Sequence, residues 1–161
     1  MLNVKHISEI IYKTIKNMGE KEPSIVKLIK GTFVCQSNLE KLYDHTNNYN
    51  KKHGLMLLDD NRLKFIFDEL RYNPTLRDKI ILATNGIDLL DWDFQSFGEE
   101  LETNILLMVA VTFAFYQLKN SYIPDDNLRD IGKFYVKIFL ESDDIKKIDE
   151  FAIKYKKTFV S

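Results

Sequence analysis

The chain has 161 residues, 45% of them hydrophobic and 29% charged, with 23 basic side chains against 24 acidic ones and a formal net charge of −1. That length suits a single domain spanning residues 1–161, and a chain of this mass buries roughly 70% of its surface on folding, a full core without disulfides or metal. The apolar fraction excludes a disordered chain, and the near-neutral charge excludes a protein whose main work is to coat nucleic acid or an anionic membrane.

Val4, Ile7, Ile11, Ile15 and Met18 recur at spacings of three and four and predict a first helix ending at Gly19. Glu20 to Pro23 reads as a polar break, after which Ser24 caps a second segment carrying Ile25, Leu28, Ile29 and Phe33. Cys35, the only cysteine, has no partner for an internal disulfide and is expected to be an inert core thiol in a reducing compartment. Ser37-Asn38-Leu39-Glu40 has the form of a capping box for a third helix with Leu39, Leu42 and Tyr43 inward. His45 and His53 are expected on a solvated helix end, too far apart along its axis to share a metal. No strand alternation is evident anywhere.

Asp59 or Asp60 caps a fourth predicted helix with Leu63, Ile66, Phe67 and Leu70 on one face, stopped by Tyr72-Asn73-Pro74. A short helix from Thr75 to Leu82 follows, ended by Asn85-Gly86, a pair suited to positive φ. Asp88 to Gly98 reads as a short helix or ordered loop. From about Thr103 to Lys119 the chain is apolar on every side of a helical wheel, interrupted only by Thr112. A helix of that kind is enclosed by a membrane or by other helices. The apolar run is about a dozen residues, short of the roughly 20 needed for a bilayer, so no membrane span is expected. Pro124-Asp125-Asp126 opens the next helix, with Leu128, Ile131, Phe134, Tyr135 and Ile138 on one face, and Ser142-Asp143-Asp144 opens the last, with Ile145, Ile148, Phe151, Ala152 and Tyr155 inward. The fold expected is therefore all-α: one compact bundle of about six to eight helices around the apolar helix at about 103–119.

Charge along the chain is uneven. From Ile80 to Leu118 there is no Lys or Arg, while Asp88, Asp91, Asp93, Glu99, Glu100 and Glu102 all fall there, so this segment carries −6 and the remainder +5. Either the carboxylates face basic helices of the same domain, or they form an acidic surface for a basic partner or a divalent cation. In the cation reading, Asp91, Asp93, Gln95 and Glu102 take the first, third, fifth and twelfth positions of a calcium loop, although Ser96 stands where the turn calls for glycine.

Catalytic motifs are missing: there is no glycine-rich phosphate loop, nucleophile elbow, paired-cysteine site or His-Glu-x-x-His. The lysine-rich tail, Lys146-Lys147 and Lys154 to Lys157, contains Asp149 and Glu150 and reads as a solvated face rather than a nucleic-acid site. Tyr49, Tyr72, Tyr122 and Phe159 fall at segment ends, where packing is the expected role.

The apolar helix followed by two amphipathic ones, over Thr103 to Ser161, resembles the layout of Bcl-2-type proteins, including short poxviral forms, and implies a groove for a partner helix; the Asn-Trp-Gly-Arg signature is absent. The hairpin from Leu107 to Ile145 is also similar to tellurite-resistance-type domains, with Lys119-Asn120-Ser121-Tyr122 in place of their acidic turn. The function expected is a non-enzymatic protein-binding module, an inhibitor, immunity, adaptor or assembly subunit without a cofactor. Its contact surface is expected around Asp91, Trp92, Asp93, Phe94, Phe97 and Glu99, facing another protein with a basic surface. A metal-binding regulator using the same carboxylates and a Bcl-2-like groove are the alternatives. No leader run precedes Val4, so an intracellular setting is expected, and the Lys, Asn and Ile bias suggests an AT-rich genome, phage and virus included.

Overall fold

A computed structural model of the chain describes residues 3–37, the backbone of 52–53, and 58–160. The expected third helix at Leu39 to Tyr43, its capping box beyond Ser37, and His45 and Tyr49 lie outside the described residues.

Helix α1 (Val4–Asn17) starts at Asn3, whose side chain accepts from the Lys5 amide, and buries Ile7, Ile11 and Ile15. Gly19, at φ +84°, turns the chain out of it. Helix α2 (Pro23–Gln36) begins two residues earlier than expected. Pro23 is its first helical residue rather than part of a break, because proline's fixed φ suits a first turn and its missing amide would have no helical partner there. Ser24 is therefore buried inside the first turn, not a cap. Ser37 closes α2, its Oγ donating to the Phe33 carbonyl at 2.5 Å.

Strands β1 (Lys52–His53) and β2 (Leu58–Asp59) form an antiparallel pair with His53 opposite Leu58. Two-residue strands are too short to leave an alternating pattern, and His53 sits on one of them rather than on a helix end. Asp59 then caps α3 (Asp60–Leu70), accepting from the Arg62 amide at 2.8 Å and from Arg62 Nη1 at 2.7 Å. The same guanidinium donates through Nη2 to the Phe139 carbonyl and lies 4.7 Å from the Phe139 ring centroid. Helix α4 (Pro74–Ala83) follows, capped by Asn73, and Asn85 and Gly86 at φ 59° and 110° reverse the chain.

Helix α5 (Phe94–Thr103) and the central helix α6 (Ile105–Lys119) meet at Asn104 with a bend of 117°. Every residue of α6 from Leu107 to Tyr116 is buried, against α1, α2, α3, α4 and α5. Its two polar groups have partners inside the core. Thr112 Oγ1 donates to the Met108 carbonyl at 2.8 Å, and the Tyr116 hydroxyl lies 2.6 Å from Thr32 Oγ1, itself bonded to the Leu28 carbonyl.

Helix α7 (Leu128–Ile138) starts later than expected. Asn127 makes the cap, accepting from the Asp130 amide at 2.8 Å and donating to the Asp130 carboxylate at 2.6 Å, so Pro124 to Asp126 precede the helix. Helix α8 (Ile145–Phe159) packs on α7 and α2 through Ile148, Phe151 and Tyr155. Ile145, expected inward, is 63% exposed, because as the first helical residue it lies off the buried stripe. The architecture is an all-α bundle around an enclosed apolar helix. Among the described residues no single helix is long and apolar enough to cross a membrane.

Candidate protein-binding surface

The acidic segment is assembled by a chain of side-chain caps. Thr84 Oγ1 donates to the Ile80 carbonyl at 2.6 Å and accepts from the Ile87 amide at 3.2 Å, fixing the turn out of α4. Asp88 accepts from the Leu90 amide at 3.0 Å and starts a 3-10 turn, Leu89–Asp91. Asp93 accepts from the Ser96 amide at 2.7 Å and starts α5. These are the short-range bonds that acidic residues offer to free amides at helix starts, and they explain why carboxylates concentrate here. The Ser96 backbone amide is also the main reason that the Asp93 carboxyl sits below its usual range.

The apolar residues divide between core and surface. Phe97 is fully buried, its ring centroid 5.5 Å from that of Phe67, so it is a core residue and not the surface anchor that its acidic neighbours suggested. Phe94, three residues earlier on the same face, is half-buried with its ring 5.8 Å from Phe67 and Lys64 Nζ 5.7 Å from its own centroid. Trp92 is half-buried. Leu90, which sequence reasoning missed, is 53% exposed while adjacent Leu89 is buried. The signal was present: two consecutive leucines in a single turn cannot share one inward face.

The carboxylates differ in exposure, with Asp88 and Glu100 half-buried. Asp91, Asp93 and Glu99 are exposed, and Asp88, Asp91, Asp93, Glu99 and Glu100 form no ion pair with a lysine or arginine among the described residues. Neutralisation by basic helices of the same domain is thus not what the described residues display. The hydrogen bonds at these groups are local: Gln95 Nε2 donates to Glu99 at 3.0 Å, and Asn104 Nδ2 donates to Glu100 at 3.1 Å.

The calcium-loop reading of Asp91, Asp93, Gln95 and Glu102 does not fit this geometry. Residues 94–103 are helical, so Asp93 and Glu102 are separated by about 13 Å along the axis, where a loop would fold them around one ion. Among the described residues no group of three His, Cys, Asp or Glu side chains comes together to hold a metal.

Polar side chains also gather around Cys35, in an open cavity of about 180 Å³ where Gln36, Tyr135, Lys147, Glu150 and Lys154 meet. Gln36 Nε2 donates to the Tyr135 hydroxyl at 2.7 Å. Burial pushes the Cys35 thiol up to about 11, so at neutral pH it is protonated and a poor nucleophile.

No protein-family model matches this chain, and neither a curated protein nor a solved structure does. The fold class therefore stands on the helices themselves.

Proposed function

We propose that this chain is a non-enzymatic protein-binding module that docks a basic surface of another protein through Asp88 to Glu102. The observation that carries the reading is the set of carboxylates from Asp88 to Glu100, Asp91, Asp93 and Glu99 exposed among them, that form no ion pair with a lysine or arginine among the described residues. Asp91, Asp93 and Glu99 leave like charges exposed on one segment, and the cost of their mutual repulsion is recovered when a cationic surface covers them. Leu90 and Trp92 supply apolar contact area, while Asp91 and Glu99 supply orientation and association rate.

The test separates docking from folding. Asp93 caps α5, so altering it would disturb the helix; Leu90, Asp91 and Glu99 are exposed and can be changed without removing a cap. The tagged chain and its Leu90→Ser/Asp91→Lys/Glu99→Lys variant are used to capture proteins from the native host, with mass spectrometry as the readout. A basic protein captured by the parent and lost with the variant supports the proposal. An identical captured set overturns this placement of the surface.

A further inference from the structure

A second surface is written on the outer side of α8. Ile145, Ile153 and Val160 are 63%, 63% and 57% exposed, although each is large and apolar. At 3.6 residues per turn, they share an arc of about 100° with Asp149, Ala152 and Lys156, an arc that begins about 40° round the helix from the buried Ile148 and leads away from Phe151 and Tyr155. Ile145 and Ile153 on α8, with Val160 as the extended residue that caps it, space three exposed aliphatic side chains along the outer side of the helix.

The order of residues in the stripe indicates what covers it. A two-fold axis placed between Ala152 and Ile153 sets Ile145 opposite Val160 of a second copy, Asp149 opposite its Lys156, and Ala152 opposite its Ile153. Every member of the stripe is matched, and each match occurs twice by symmetry, as an isologous contact requires. A parallel pairing would set Asp149 against Asp149 and Lys156 against Lys156. The Arg129–Asp149 ion pair does not occupy the face: it is 3.7 Å long and exposed on both sides, so it yields readily.

We propose that this stripe is a self-association face, covered by α8 of a second copy running antiparallel. A contact between two four-turn helices lies below the roughly 1,200 Å² of standard interfaces, which places the dimer in a weak, micromolar regime. It is independent of the acidic surface at Asp88 to Glu102.

Sedimentation of the full chain from about 10 μM to about 1 mM, in about 0.15 M salt to screen the flanking lysines, tests it. The expected result is a concentration-dependent rise to dimer mass. Ile153→Asp, an exposed substitution, should weaken association about tenfold or more, and D149K and K156D should each weaken it as well. An equimolar mixture of D149K and K156D chains should regain dimer, because opposite charges face each other again only in the mixed pair. A parent chain still monomeric at about 1 mM overturns the proposal, as does self-association indifferent to Ile153→Asp.

Discussion

The ring of Phe151 fills the space that a side chain on Gly31 would need: a Cβ on that glycine would stand 2.0 Å from the ring's Cζ and 2.2 Å from Cε2. Phe151 also faces Gly132, where the corresponding approach to Cδ1 is 3.2 Å. Two glycines, one on α2 and one on α7, thus make the slot into which α8 inserts its one fully buried aromatic ring.

Gly31→Ala should therefore destabilise the fold by up to about 2 kcal/mol net, since overpacking costs about 1–3 kcal/mol against the roughly 1 kcal/mol that alanine gains in a helix. Gly132→Ala should cost distinctly less, because a shift of a few tenths of an ångström accommodates it. Urea unfolding midpoints of the two variants check the ranking. A Gly31→Ala protein as stable as the parent would show that Phe151 can leave its slot freely.

Arg62 joins the start of α3 to the end of α7, through Asp59, the Phe139 carbonyl and the Phe139 ring. Arg62→Ala should lower stability by about 1.5–3 kcal/mol, the range for hydrogen bonds to charged groups, and Arg62→Lys should not restore it, since a single ammonium cannot serve a carboxylate, a carbonyl and a ring face together. Thermal unfolding of both variants is the measurement. Full recovery in Arg62→Lys would reduce the role of this residue to charge alone.

Stability should fall in alkali. Outside the folded environment the Cys35 thiol ionises near 9.0, and inside it near 11. Between those values the unfolded chain gives up a proton that the folded chain keeps, so this contribution is intact below pH 9 and is lost as pH rises toward 11. Tyr116 and Tyr135, whose hydroxyls burial also pushes upward, act in the same direction at higher pH. Urea midpoints across this range should decline, less steeply in Cys35→Ala than in the parent. A flat profile would contradict the burial of these groups.

The thiol itself supplies a kinetic check. A rise from 9.0 to about 11 leaves about a hundredfold less thiolate at a given pH below both values. The higher intrinsic reactivity of a more basic thiolate offsets about tenfold of this, so alkylation of Cys35 in the native protein should be slower than in urea by about tenfold or more, and equal rates would mean an open, ordinary cysteine.

Much of this fold was legible because its helix boundaries rest on local chemistry. Asp59 before Leu63, and Asn85-Gly86 after Leu82, act through their own backbone neighbourhoods, so their roles survive without tertiary information. The apolar wheel of Leu107 to Tyr116 likewise has few outcomes other than enclosure. What sequence left open depended on which of two adjacent residues faced inward. Phe97 reads as surface from its acidic neighbours, yet the ring of Phe67 on a different helix claims it. Leu90 reads as core from its type, yet Leu89 has taken the inward position. Pro23 looked like a terminator and is a starter, since proline stops the helix before it and suits the first turn of the one after. The carboxylates of the acidic segment were visible in the sequence; that Asp88, Asp91, Asp93, Glu99 and Glu100 form no ion pair with a lysine or arginine among the described residues required the fold.

Asn104 ends α5 and begins α6, its carbonyl oxygen Oδ1 accepting from the Leu107 amide at 3.0 Å while its Nδ2 holds Glu100. With one residue serving both helices there is no slack between them. The charged face of α5 is geared directly to the deepest helix of the molecule, so a partner seated on that face would pull against the bundle's centre and not against a compliant loop. Recognition there would proceed with little rearrangement, and any twist imposed on α5 would be felt first by the side chains farthest from solvent.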